Sequence, residues 1–398
     1  MPAVPRLIIV ADDLTGTMDV AGPLADRGLC TWAVASIEGC TTPSFDGADA
    51  VSINADSRHL SEEEAARRVG AIVRGLVRPN CEILIKKIDS TLRGNVAAET
   101  LAMLEASGRR AAVVAPAFPR QGRTLIEGVV HVHGVPLRDT NFARDALSPP
   151  PLEPLHVVFR RADAHADVVL VARGAPVAFA HDGRRQIFVV DSASDEELRA
   201  TLRTVRGYLE HTLLVGSAGV AEALADVCLE PGSSAIAAPA VHGTLLFVVG
   251  SRAQQSAQQV GALVEAGQAQ IVAAPNGCID LDAAMRAPEE LLVLKATPDV
   301  EGRESDAAQV ARNLADGVAT LLDRRSIAAV VATGGDTALA ILQRLSQPVL
   351  RVMGNLLPGI PYSSIRATDR ELWFVTKAGG FGSRGTFVSI AQRLRGIA

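Results

Sequence analysis

The chain has 398 residues and a formal net charge of −5, with 48% hydrophobic and 21% charged residues. Such a length exceeds one ordinary core and predicts two or three domains, the apolar content excludes disorder, and the acidic balance argues against a general nucleic-acid or membrane-surface binder. Five scattered cysteines form no CxxC pair and fit no metal or disulfide framework, which predicts a reducing compartment.

Taken in order, the first predicted strand is Leu7 to Ala11. The opening residues lack the charged head and long apolar core of a signal peptide, and no apolar run in the chain reaches membrane length, so a cytoplasmic location is expected. The strand runs into Asp12-Asp13-Leu14-Thr15-Gly16. Helical composition from Thr17 to Arg27 ends at Gly28, with Pro23 either kinking the helix or marking a late start. Two adjacent carboxylates at a strand's end point opposite ways, so one can face a cleft while the other turns back; helix capping accounts comfortably for only one of them. Further strands are predicted at 31–36 and 49–53, the second leading into Asn54-Ala55-Asp56-Ser57-Arg58. Ser61 and Glu64 have the spacing of a capping box for a helix reaching about Val77.

The densest chemistry follows, in Lys86-Lys87-Ile88-Asp89-Ser90-Thr91-Leu92-Arg93-Gly94-Asn95, between a buried strand at 83–85 and a helix at 96–106. A turn from strand to helix does not need three cations, a carboxylate, two hydroxyls and an amide. Lys87 and Arg93 can neutralise charge, Arg93 through a bidentate fork. Ser90 and Thr91 can bond hydroxyls, and the following helix offers free N–H groups. The combination suits a small, hydroxyl-rich anion; a solvated loop with a Ser/Thr cap is the alternative. Another buried strand, 111–115, leads into Pro116 to Thr124. Strand, polar loop and helix alternate throughout, which predicts a parallel sheet wound with helices. Ligands in such sheets sit beyond the carboxyl ends of the strands, where one topology would gather the loops 12–16, 54–58, 87–95 and 116–124.

His131 and His133 would share a strand face, but no third ligand is spaced to help, so packing or surface histidines are expected. Alternation resumes after an irregular 141–155, with strands at 187–190 and 213–215 and helices near 195–210 and from 216 on. Residues 229–242, small and rich in Pro and Gly, read as a linker. Beyond it, strands at 244–249, 327–332 and 372–376 end in Gly250-Ser251, Thr333-Gly334-Gly335-Asp336-Thr337 and Lys377-Ala378-Gly379-Gly380-Phe381-Gly382. Glycine lets backbone N–H groups approach an anion, and the helix behind each turn adds its dipole. A nucleotide cradle is the natural expectation, ordinary turn glycines the alternative. The GxGxxG at 380–385 lies too near the C-terminus to open a dinucleotide-binding unit, and no GxxxxGK[ST] occurs.

Together these motifs resemble the four-carbon acid sugar kinase family over nearly the whole chain. The family's opening signature appears as Ala11 to Gly16, its KxDSTLRGN as Lys87 to Asn95, and its PAFP…GRT…G segment at Pro116 to Gly128, continuing into Gly134 to Pro136 and Thr140 to Asp145. GS, GGDT, PGIP and TKAGGFG follow at 250–251, 334–337, 358–361 and 376–382. Thr17 departs from the usual Ala, Pro23 intrudes, and 146–149 stand where Asp-Pro is usual. The resemblance implies two α/β domains, each a mostly parallel sheet wound with helices, with the active site in the interdomain cleft. Residues 1–230 would bind a sugar acid, 231–242 link, and 243–398 bind the nucleotide. It implies ATP and Mg²⁺, the metal's protein ligands being unassigned, and phosphorylation of D-threonate or D-erythronate at the 4-hydroxyl. A 3-oxo-tetronate or other sugar-acid kinase and a non-catalytic sensor are the alternatives. Asp12, Arg58, Lys87, Ile88, Asp89, Ser90, Thr91 and Arg93 would contact the acid, with Asp12 or Asp13 as catalytic carboxylate. Ser251, Gly334, Gly335, Asp336, Thr337, Gly379 and Gly380 would contact ATP. The expected partners are therefore small molecules, with no nucleic acid or membrane, and a homodimer is left open.

Overall fold

A computed structural model describes all residues except 1–4, 38–44, 46, 77–80, 146, 181–182, 233–238, 268, 288–289, 300, 303–305, 368–369 and 398. The expected linker therefore lies partly outside the described residues. Two compact units are present, Met1–Trp32 with Ser44–Ser233, and Ala33–Pro43 with Ser234–Ala398.

In the first unit the elements run β1 (Leu7–Ala11), α1 (Leu14–Asp26), the start of β2 (Thr31–Val34, whose last two residues belong to the second unit), β3 (Ala50–Asn54), α2 (Glu62–Leu76), β4 (Ile83–Lys87), α3 (Val96–Ser107) and β5 (Ala111–Ala115). A small antiparallel sheet of β6 (Arg123–Ile126), β7 (Val129–Val132) and β8 (Val135–Pro136) interrupts the alternation. It resumes with α4 (Leu155–Ala162), β9 (Asp167–Val171), β10 (Gln186–Val190), α5 (Asp195–Val205), β11 (Thr212–Gly216) and α6 (Ala218–Cys228). The strand order is β3-β1-β4-β11-β5-β10-β9, every neighbouring pair parallel. Continuous apolar runs such as Ile83-Leu84-Ile85 and Ala111 to Ala115 are buried on both faces, as covered parallel strands require.

The helix after β1 starts at Leu14, three residues before the Thr17 expected from composition. Asp13 sets that start, because its side chain accepts from the Gly16 amide at 2.7 Å. Pro23 is carried inside α1. The predicted capping box is present, with the Ser61 amide donating to Glu64 and the Glu64 amide to the Ser61 hydroxyl. The expected histidine alternation fails: His131 is in β7, whereas His133 has φ +50° in the turn beyond it.

The second unit runs β12 (Thr244–Val249), α7 (Gln254–Glu265), β13 (Gln270–Pro275), α8 (Leu281–Arg286), β14 (Leu291–Thr297), α9 (Ala307–Arg324), β15 (Ile327–Thr333), α10 (Gly335–Arg344), β16 (Val349–Leu357), β17 (Ile360–Ala367), β18 (Arg370–Lys377) and α11 (Thr386–Leu394). Its order is β13-β14-β12-β15-β18-β17-β16, parallel as far as β18 and antiparallel from there. Among the described residues, no helix is long and apolar enough to cross a membrane.

Candidate active site

Both sheets reverse direction in the middle, and the polar loops lie at those reversals. In the first unit the chain moves from β1 outward to β3, then returns to the other side of β1 with β4. Ala11 and Lys87 are register partners at that point, so Asp12-Asp13 and Ile88 to Gly94 emerge side by side. In the second unit the reversal falls between β12 and β15, where Val249 pairs with Thr333 and Thr333 with Lys377. Carboxyl ends at a reversal are where open α/β sheets bind ligands.

At the first reversal, Arg58 is the hub. Its Nε donates to Asp12 Oδ2 at 2.7 Å, its Nη1 lies 2.6 Å from Asp13 Oδ2 and its Nη2 3.9 Å from Asp89 Oδ1. The Ser57 and Arg58 amides both donate to the Asp12 carbonyl, which fixes the 54–58 loop against β1's end. Burial pushes the Asp12 carboxyl up, but Arg58, Lys86 and Lys87 outweigh it and hold it below its ordinary range. Burial also acts against Asp89, yet Arg93 and Arg58 hold that carboxyl far below the usual range. Asp89 accepts from the Thr91 amide and hydroxyl and from both arms of Arg93, so these three side chains shape the loop. Ile88 is buried, and its carbonyl accepts from Lys87 Nζ at 3.0 Å.

The two lysines diverge because neighbouring strand residues face opposite sides of a sheet. Lys86 turns towards α3 and pairs with Glu99 at 2.7 Å, both fully buried. Ser57 also donates to Glu99. Lys87 turns towards α1, where a Cβ on Gly16 would lie 2.9 Å from its Nζ, so the helix passes close to the ammonium. Among the described residues Lys87 has no carboxylate partner, and Asp12 Oδ1 is buried without a hydrogen bond. Ser90 is half-buried in the loop after β4.

Two residues at this edge escaped the sequence reading. Arg123, in the GRT segment, stacks 5.6 Å over Phe142 and bonds the Gln121 carbonyl, while its Nε is buried without a partner. Burial lowers its pKa, with Asp89 opposing. Asp19 lies on α1, three residues past Gly16. Helical spacing within a motif-bearing helix was the available signal for it. A cavity of about 590 Å³ lies elsewhere, at the amino ends of β4, β5, β10 and β11, and its Arg109 is engaged with main-chain carbonyls.

At the second reversal, Ser251, Gly334, Thr337 and Gly379 come together. A Cβ on Gly379 would meet Ser251 Oγ at 2.1 Å, and one on Gly334 would lie 3.7 Å from both Ser251 Cβ and Thr337 Oγ1. Gly334 precedes α10 with φ +101°, leaving the amides of Gly335 and its successors free of intrahelical partners. Asp336 is exposed in that first turn, while Gly380 has open space around it. Lys377 is buried 5.5 Å over Phe387, its Nζ donating to the Ala378 and Gly379 carbonyls, and burial lowers it to about 8.

A family model described as a sugar-binding N-terminal domain matches residues 7–224, and one described as a nucleotide-binding C-terminal domain matches 246–387. A D-threonate kinase of Bordetella bronchiseptica is 32% identical, with 98% of each chain covered. A 3-oxo-tetronate kinase of Brucella melitensis is 26% identical, covering 98% of this chain and 95% of its own. The crystal structure of the Haemophilus influenzae protein HI1011 superposes with a TM-score of 0.71 at 20% identity, covering 97% of this chain and all of its own (100%). The fold is α/β, and the relatives define a phosphotransferase that acts on an alcohol group. The chain belongs to the four-carbon acid sugar kinase family.

Proposed function

We propose that the enzyme transfers the γ-phosphoryl group of ATP to the 4-hydroxyl of D-threonate or D-erythronate. Residues 1–230 take the acid, 231–242 link, and 243–398 take the nucleotide. The observation that carries this reading is the first reversal point: an ammonium without a carboxylate partner, Lys87, beside a buried carboxylate oxygen without a donor, Asp12 Oδ1. The first suits a substrate carboxylate and the second a substrate hydroxyl. Arg123 offers a second cation for the acid group. Arg58 aligns Asp12 and Asp13 and reaches the substrate from between them, with Ser90 as a further hydroxyl contact. Ser251, Gly334 to Thr337, Gly379 and Gly380 cradle the phosphates. Mg²⁺ is held largely by phosphate oxygens and one or two carboxylates. Exposed Asp336 beside Thr337 fits that need, and the bound ion would neutralise charge on the transferring group.

A screen of four-carbon sugar acids for ADP release tests the assignment. Turnover of D-threonate or D-erythronate supports it; preference for a 3-oxo-tetronate moves the substrate to the other branch seen among the relatives. Binding without ATP consumption would make the protein a sensor.

Lys87→Ala and Arg123→Ala are each expected to raise the KM for the acid about 10- to 10²-fold, the equivalent of a lost charge-assisted hydrogen bond, with ADP affinity nearly unchanged. Equal losses for both ligands would place these cations at the phosphates. Gly379→Ala forces Ser251 to move, so ADP should bind about tenfold more weakly, one hydrogen bond's worth. Gly380→Ala, which meets nothing, is the control, and equal behaviour of the two variants in calorimetry would remove Ser251 from the cradle.

A further inference from the structure

We propose that Asp19, on the face of α1 that looks onto Lys87, is the carboxylate that accepts the proton of the phosphorylated hydroxyl. The inference rests on the kinase reading above and assigns its proton acceptor.

The placement follows from helix geometry. Residues three apart share a face, and Gly16, three before Asp19, is where α1 passes Lys87 Nζ at near contact. Asp19 is half-buried, and among the described residues it makes no hydrogen bond or ion pair. The other carboxylates of this edge are engaged. Asp13 caps α1 with one oxygen and pairs with Arg58 through the other. Asp89 is held by Thr91 and Arg93. Asp12 spends one oxygen on Arg58, and its three neighbouring cations leave it a weak base. Asp12 therefore suits the holding of a hydroxyl, and Asp19 the removal of its proton.

The charged groups that reach Asp19 are consistent with that division. Burial pushes its carboxyl up to about 7, Lys87 and Arg58 oppose, and Asp13 and Asp89 add to the rise. β1 and β3, packed against the same helix, carry no charged residue. The acids of α6 that flank α1, Glu222 and Asp226, lie near Arg120 and Arg199. A base works best with a pKa near the operating pH, and two environments that push neighbouring carboxylates apart separate their roles. In the step, the hydroxyl oxygen forms a bond to the γ-phosphorus while the bond from phosphorus to the β,γ-bridging oxygen breaks. ADP leaves with that electron pair, and the hydroxyl proton passes to Asp19, which later releases it to water.

The test is single-turnover phosphoryl transfer in the full-length enzyme with its accepted sugar acid, followed from pH 5.5 to 9. The wild type should show a rate that rises with pH and levels off above about 7, as Asp19 ionises. Asp19→Asn should lower the rate about 10²-fold or more, abolish that rise, and leave the KM for the acid and the affinity for ADP within about threefold. Asp19→Glu should regain part of the rate and the rising limb. A wild-type profile flat across this range overturns the inference without any variant. So does an Asp19→Asn enzyme that transfers at the parent rate. If the wild type consumes no ATP with any four-carbon sugar acid, the kinase reading itself fails, a result distinct from either.

Discussion

Asp12→Asn is expected to lower kcat/KM by about 10²-fold or more while the protein still folds and binds ADP. The substitution keeps the shape of the side chain and removes its charge. Asp12 Oδ1, buried and without a donor, is the acceptor proposed for a substrate hydroxyl, and an ionised acceptor contributes about 1.5–3 kcal/mol, or roughly 10- to 10²-fold. Misplacing the attacking hydroxyl by about an ångström costs about a further 10²-fold. The fold should survive because Arg58 keeps Asp13, which alone caps α1. Asp13→Asn, run beside it, should act mainly through Arg58, since Asn caps a helix about as well as Asp. Steady-state kinetics with matched thermal melts decide the matter. If both variants turn over normally, the paired carboxylates are structural.

Lys86→Met should be the most destabilising change near the site, by about 3–5 kcal/mol, because it strands Glu99 as a buried charge. Both side chains are fully buried at 2.7 Å. Burial already raises the Glu99 carboxyl, against the pull of Lys86; without Lys86 it rises further and the carboxyl takes up a proton. The folded state then binds that proton more tightly than the unfolded chain, so stability falls as pH rises through the folded-state pKa. The loss should accordingly be larger at pH 8 than at pH 5. Adding Glu99→Gln, which removes the charge and keeps an acceptor for Ser57, should restore at least half of it. Urea unfolding at both pH values checks all three expectations. A single variant within about 1 kcal/mol of the parent would mean that the interior here is wetter than the structure shows.

Lys86 and Lys87 are adjacent, alike and both buried, yet one is paired with Glu99 and the other, in our proposal, serves the substrate. The sequence could mark the stretch but not divide it. The division depends on which helix covers which face of β4, and that is decided by residues far along the chain. Asp19 shows the same limit. It lies four residues beyond the DDLTG motif's threonine, in a helix whose expected start at Thr17 was three residues late, so its face could not be assigned. The antiparallel pair β16–β17 is not legible in the sequence because Gly354 interrupts β16, and Pro358-Gly359 between the strands reads as an ordinary turn.

What the sequence determined by itself was local: strand, polar loop and helix in repetition, charged and hydroxyl side chains at 12–16 and 87–95, glycine turns at 250, 334 and 379, and a family resemblance built from them. Such features are legible because apolar runs, turn chemistry and caps act between residues near in the chain. The tertiary structure alone decided which charges are paired within the fold and which are not. Arg58 is claimed by Asp12 and Asp13, Arg93 by Asp89, and Lys86 by Glu99, while Lys87, Arg123 and Asp19 have no ionic partner among the described residues. Coulomb attraction and desolvation act through distance in space, and the fold sets those distances by bringing β1, β3 and β4 side by side.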